Sequence, residues 1–197
     1  MWNMTKGSAD PRAKLLETAI EHIARHGGAE QSLRSLATAL GTSHRMLIYH
    51  FDSKEGLLTA VAREVERRQR EVLADLTKDL PADLPVTELG RRFWHRLTDD
   101  TLRRNEKLFF QLYGHALGGT PGTTALLDGV IDDWLPPLTA LLAGAGVPEG
   151  QCAAHARLCL AVARGLLLDL VTTGDRRAVD EAMDLFVATH FGAFDRV

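Results

Sequence analysis

Apolar residues recur at three- and four-residue steps along nearly the whole chain, and no stretch alternates apolar and polar positions as a half-buried strand would. From Asp10, Leu15, Leu16, Ala19, Ile20, Ile23 and Ala24 mark a first helix that Gly27-Gly28 end. Residues 1–8 have no periodicity and read either as a loose polar tail or as an arm that carries Lys6 towards a groove. Ser32 caps a short second helix with Leu33, Leu36, Ala37 and Leu40 on one face, and Gly41 stops it. Ser43 caps a third, in which Leu47, His50 and Phe51 share one side while Arg45 and Tyr49 lie opposite Leu47. Asp52-Ser53-Lys54-Glu55, an acidic cap with a glutamate three residues on, opens a fourth and longer helix over about 53–79. That helix runs through Leu57, Leu58, Val61 and Val65 towards Leu76. Its Arg63, Arg67, Arg68 and Arg70 interleave with glutamates in the manner of a solvated face.

Pro81 and Pro85 bracket the best boundary, which divides an N-terminal unit over 1–56 from a body over 81–197. In the body, Thr87 caps a helix carrying Leu89, Phe93, Trp94 and Leu97, and Leu102 to Leu117 carries Leu108, Phe109, Phe110, Leu112 and Tyr113. After Gly118-Gly119-Thr120-Pro121, one helix from about Thr123 through Trp134 to Leu142 is expected, kinked or divided at Pro136-Pro137. Two helices close the chain, about Gln151 to Thr172 and Arg176 to Phe194, separated by Gly174-Asp175. The fold class is all-α: a three-helix helix-turn-helix head followed by a larger helical body.

A length of 197 residues suffices for a real core, and two cysteines without an apolar run of 18 residues point to a soluble, cytoplasmic protein. The net charge of −3 argues against nonspecific polyanion binding, but its distribution is uneven. Residues 1–70 carry 11 Lys+Arg against 8 Asp+Glu, or +3, and residues 71–197 carry 12 against 18, or −6. That division suits a chain that meets phosphate with one end only.

Two short helices around a glycine turn are the geometry that lays a second helix in the major groove. Arg45 is the best match to guanine, since its fork fits O6 and N7, with His44 and Tyr49 next. Lys54 opens the fourth helix, where its ammonium adds to the exposed N–H groups and dipole that hold a backbone phosphate; Ser32 and Arg34 open the second helix in the same way. Ser43, Met46 and His50 complete the candidate DNA-binding set, with His50 equally readable as core.

The order Ser32-Leu33-Arg34, Leu36-Ala37, Gly41-Thr42-Ser43, Leu47, Tyr49-His50-Phe51 and Ser53-Lys54-Glu55, leading into Leu57-Leu58, resembles the TetR family of bacterial transcriptional regulators. The resemblance is specific over roughly residues 12–60. It implies three DNA-binding helices, a fourth linking helix, and a body of five or more helices with a ligand pocket and a dimer interface. One position departs from the family pattern: where a tyrosine usually follows the leucine at 47, this chain has Ile48. The phosphate contact implied there passes to Tyr49, or Ile48 meets a thymine methyl instead. The bulky His44-Arg45-Met46 replaces smaller residues, so an unusual operator sequence is expected.

In the body, Phe93, Trp94, Leu97, Phe109, Phe110, Tyr113, Trp134 and Arg164 are the candidate ligand-binding residues, either lining an apolar cavity or forming plain core. The effector is unspecified, and no cofactor is called for. The last two helices carry more apolar surface than one stripe needs, which points to a homodimer through them and an inverted-repeat operator. The function expected is a ligand-responsive repressor, not an enzyme. The alternative is a helical enzyme or metal-binding protein using Cys152, His155 and Cys159, which share one helical face, although no fourth zinc ligand is evident.

Overall fold

The computed structural model describes residues 10–26, 30–78, 84–99, 103–192 and 194. Lys6, the Gly27-Gly28 stop, Pro81 and Leu102 lie outside the described residues. Within them the chain is all-helical: α1 (Pro11–His26), α2 (Leu33–Ala39), α3 (His44–Phe51), α4 (Lys54–Lys78), α5 (Val86–Leu97), α6 (Arg103–Leu117), α7 (Leu135–Gly144), α8 (Glu149–Thr173) and α9 (Arg176–Phe191), with a 3-10 turn at Thr124–Leu127. No described helix is long and apolar enough to cross a membrane.

The head folds as its caps and spacing dictate. Ser32 Oγ accepts from the Ser35 amide and Ser43 Oγ from the Met46 amide, each at 3.2 Å, while Gly41 takes φ +66° between the two helices. Leu36 and Leu47, both 0 % exposed, belong to one apolar cluster that joins the two helices.

The junction of α3 and α4 differs from the expected acidic cap. Ser53 caps α4, its Oγ accepting from the Gly56 amide at 2.9 Å. Asp52 instead sits at φ 65°, ψ −41°, with the Ser53 amide donating to Phe51 O at 2.7 Å. This is a tight three-residue γ-turn, a strained form, and it joins α3 directly to α4.

Two further expectations are corrected. Thr87 does not cap α5: Pro85 occupies the N-cap position, and Thr87 is buried as the second residue of the helix. The expected helix from Thr123 to Leu142 is a 3-10 turn, a run of turns and then α7, with Pro136 and Pro137 in the first turn of α7. Proline is favoured there because its missing N–H has no helical partner to lose.

Three apolar clusters make the core. The first unites α1–α4 with Leu108, Phe109 and Leu112 of α6 and with Leu126 and Val130, so the head rests directly on the body. The second joins Leu73 of α4 to Trp134, Leu138, Leu160 and Phe191. The third packs Trp94 and Leu97 against α8 and α9, with Trp94 Nε1 donating to Asp180 at 2.6 Å. α4 therefore touches the head at one end and the body's interior at the other.

Candidate nucleic-acid interface and the cavity behind it

On α3 the buried positions Leu47 and Phe51 turn the rest of the helix outward. His44, Arg45, Met46, Ile48 and Tyr49 are all exposed, Tyr49 at 76 %. Arg34 and Ser32 are exposed at the start of α2, and neither Arg34 nor Arg45 joins an ion pair among the described residues. Ser43 is exposed, with its Oγ committed to the cap. Lys54 is half-buried at the first position of α4. His50 is half-buried beside Tyr49 and Phe51, and its Nε2 is enclosed without a hydrogen bond. One helix surface thus offers a guanidinium, an imidazole, a phenol and two apolar groups, supported by Arg34 across the turn. Those are groups able to meet base edges and phosphates.

Behind the head, α4 to α9 enclose a cavity of about 100 Å³. Phe93, Trp94, Leu97, Phe109, Phe110, Trp134 and Arg164 line it. Tyr113 does not; it stacks outside the wall on Phe109, with ring centroids 5.6 Å apart. Three polar residues missing from the sequence reading also line the cavity: Glu66, Gln69 and Glu106.

The reading of α4 as a solvated charged face is corrected for Glu66, and uncharged Gln69 is buried beside it. Ala62, Glu66, Gln69 and Leu73 follow one another at steps of four, three and four, and all are buried. Arg63 and Arg67 are exposed on the other side. The inward stripe was present in the spacing, but polar residues occupied it.

These buried groups satisfy one another. Glu66 Oε2 accepts from Trp134 Nε1 at 2.7 Å and from Arg164 Nη2 at 2.9 Å; the same Nη2 donates to Val130 O at 2.6 Å. The Arg164 guanidinium also lies 5.2 Å from the Phe109 ring centroid. Burial pushes the Glu66 carboxyl above the usual carboxylate range against the pull of Arg164. Gln69 Nε2 donates to Glu106 at 2.6 Å, and burial pushes Glu106 up to about 7.

Cys152, His155 and Cys159 lie along α8 without converging on a metal site, and no three His, Cys, Asp or Glu side chains do so among the described residues. The Cys152 thiol points at Val147 O and Pro148 O, 3.3 and 3.4 Å away. Burial pushes the Cys159 thiol up to about 12, which disfavours the thiolate a metal needs. His155 Nδ1 instead meets His190 Nε2 at 2.7 Å, and burial, with the nearby imidazole of His155, holds His190 below its usual value.

Comparison with known proteins agrees with this geometry. Residues 15–61 match the model of the bacterial regulatory proteins of the tetR family. Over 64 residues the chain is 38 % identical to the HTH-type transcriptional repressor AcnR of Corynebacterium diphtheriae, covering 32 % of this chain and 34 % of that protein. Over 66 residues it is 41 % identical to the HTH-type transcriptional regulatory protein RaaS of Mycobacterium tuberculosis, covering 32 % and 31 %. The match thus spans about a third of those relatives' length. Among solved structures, a transcriptional regulator from Rhodococcus sp. Rha1 superposes with a TM-score of 0.74 at 19 % identity, covering 95 % of this chain and 100 % of that one. A TetR-family regulator from Pectobacterium atrosepticum gives 0.72 at 18 %, covering 93 % of each. Residues 15–61 thus match the model of the tetR family of bacterial regulatory proteins, and the chain as a whole shares the fold of these solved regulators.

Proposed function

We propose that the chain is a ligand-responsive transcriptional repressor that acts in the cytoplasm, binds an inverted-repeat operator as a homodimer, and leaves it when a small molecule enters the body. The division of labour is a DNA-binding unit over 1–56 and an effector-binding and dimerisation body over 81–197, joined by α4. The observation that carries the reading is the α3 surface, where Arg45 and Tyr49 stand exposed over buried Leu47 and Phe51 inside the segment that matches the family. Arg45 reads a guanine; Lys54, Ser32 and Arg34 hold phosphates; His44, Met46 and Tyr49 complete the face.

Dimerisation is supported by α8 and α9. Ala154, Leu158, Ala161, Gly165 and Leu168 are all exposed at alternating steps of four and three, and Leu185 of α9 is 66 % exposed. A stripe of small and apolar side chains at that period suits close packing of helices from two subunits. A two-fold axis through it sets two copies of α3 on successive turns of one DNA face. Release requires an effector that binds the DNA-incompetent state more tightly, with a coupling of about 1–3 kcal/mol.

The test is a mobility shift with duplexes tiled across the DNA upstream of the chain's own coding sequence, at about 50 and 200 mM salt. A shift that weakens steeply with salt and is lost in Arg45→Ala, with helicity unchanged, is expected. Failure of every duplex to shift at low salt would sink the reading.

A further inference from the structure

We propose that the cavity takes a compact basic amphiphile, a protonated amine carried on an apolar group, with the carboxylate of Glu106 as its counter-ion. This rests on the reading of the cavity as the effector site and supplies the chemical class of the effector. Apart from Glu66, Gln69, Glu106 and Arg164, the wall is almost wholly apolar, with Phe93, Trp94 and Trp134 among its rings. The four polar residues are not equivalent. Glu66 and Arg164 neutralise each other at 2.9 Å, and Gln69 is uncharged. Glu106, 5 % exposed, accepts from Gln69 but joins no ion pair among the described residues. Once ionised it leaves one buried negative charge unmatched, which is costly until a cation neutralises it.

An anionic ligand fits less well. It meets two carboxylates, while Arg164 Nη2 is already engaged by Glu66 and Val130 O, and Nη1, which has no hydrogen bond, is enclosed away from solvent. The aromatic walls favour a cation further, since an ammonium is attracted to a ring face. The volume of about 100 Å³ sets the scale, being of the order of the ~150 Å³ that admits benzene.

Burial pushes Glu106 up to about 7, so an ammonium ligand has to shift it to the ionised form. The other titratable groups facing it do not reverse this. Glu66 from α4 is pinned by Arg164 from α8, Arg70 of α4 is paired with Asp133, and the Cys159 thiol of α8 is neutral throughout. α5, α7 and α9 contribute no titratable side chain to the wall. Affinity for an amine therefore rises with pH, by about tenfold from pH 6 to pH 8 for a carboxyl near 7.

Isothermal titration of the full-length protein with benzylamine, benzyl alcohol and benzoate separates the possibilities. Benzylamine is expected to bind at least about tenfold more tightly than benzyl alcohol at pH 8, to lose that advantage at pH 6, and to lose it at both pH values in Glu106→Gln. The alcohol's affinity is expected to be unchanged by the substitution. Should Glu106→Gln fail to fold, the pH profile of the unmodified protein decides. Equal binding of amine and alcohol, tighter binding of benzoate, or no binding of any of the three overturns the proposal. A mobility shift run beside it keeps the two readings apart: benzylamine bound at Glu106 without effect on the operator complex supports the chemistry and refutes the effector role.

Discussion

Replacing Arg164 by leucine removes the nearer of two guanidinium groups at Glu66 Oε2, 2.9 Å away against 4.0 Å for Arg70, in a pair whose side chains are 14 % and 11 % exposed. At 2.9 Å and an effective dielectric constant of about 20, the attraction is about 6 kcal/mol, most of it offset by the cost of desolvating both ions. Removing Arg164 leaves the buried Glu66 charge opposed only by Arg70 at 4.0 Å, so a loss of about 3 kcal/mol, the lower end for a broken buried pair, is expected at pH 8. The double variant Glu66→Gln/Arg164→Leu should recover most of it, because a neutral amide oxygen still accepts from Trp134 Nε1. Urea unfolding followed by circular dichroism, with an unchanged denaturant slope, measures both. The pH dependence has a definite sign. Burial already raises the Glu66 carboxyl, and loss of Arg164 raises it further. A raised carboxyl stabilises fully below its unfolded value, near 4.5, and loses that contribution as pH rises through its folded value. The deficit of Arg164→Leu is therefore smallest near pH 5 and largest near pH 8. A variant within about 1 kcal/mol of the parent at pH 8, or a double variant no more stable than the single one, refutes the reasoning.

Other outcomes follow from single residues. Asp52→Gly relieves the strained γ-turn and should raise stability by about 1 kcal/mol, read as a higher urea midpoint. Leu47→Ala empties a fully buried site beneath the α3 surface and should cost about 2–5 kcal/mol, checked by thermal unfolding. Burial pushes the Glu106 carboxyl up to about 7 from an ordinary 4.5, a difference of about 3 kcal/mol that builds as pH rises from about 5 to about 8. Glu106→Gln should thus match the parent at pH 5 and exceed it at pH 8. Cys159, with its thiol pushed to about 12, should resist a thiol-directed dye at pH 8 until urea unfolds the chain, whereas labelling of the native protein at a free-thiol rate would contradict its burial.

The head was legible because each of its devices is local. Ser32, Ser43 and Gly41 act on their immediate neighbours, and the apolar residues of α2 and α3 have only one side to face. Legibility failed where polar side chains do the work of apolar ones. Glu66 and Gln69 occupy the inward stripe between Ala62 and Leu73, and their partners Trp134, Arg164 and Glu106 lie 37 to 98 residues away. A period of 3.6 shows which face a residue takes but not that a distant arginine neutralises it. The same limit applies at Pro136-Pro137: the dipeptide marks a break, and only the packing of Trp134 against Phe93 at 6.2 Å shows that the break is the start of α7.

Under the proposed function, the buried polar stripe also bears on how a ligand in the cavity would move the α3 surface. From Glu66 to Lys54 is 12 residues of α4, about 18 Å, so a tilt of about 10° at the cavity displaces the start of α4 by about 3 Å. The γ-turn at Asp52 passes that displacement to α3, and the cluster shared with Leu108, Phe109 and Leu112 makes the head follow α6 as well. In a two-fold dimer both copies shift, doubling the change in their separation against a DNA repeat of about 34–36 Å. Apolar contacts alone would let α4 slide between similar packings. The bonds from Glu66 to Trp134 and Arg164 have one good geometry and fix α4 in it, so the proposed ammonium at Glu106, which accepts from Gln69 of α4, would act by favouring a different one.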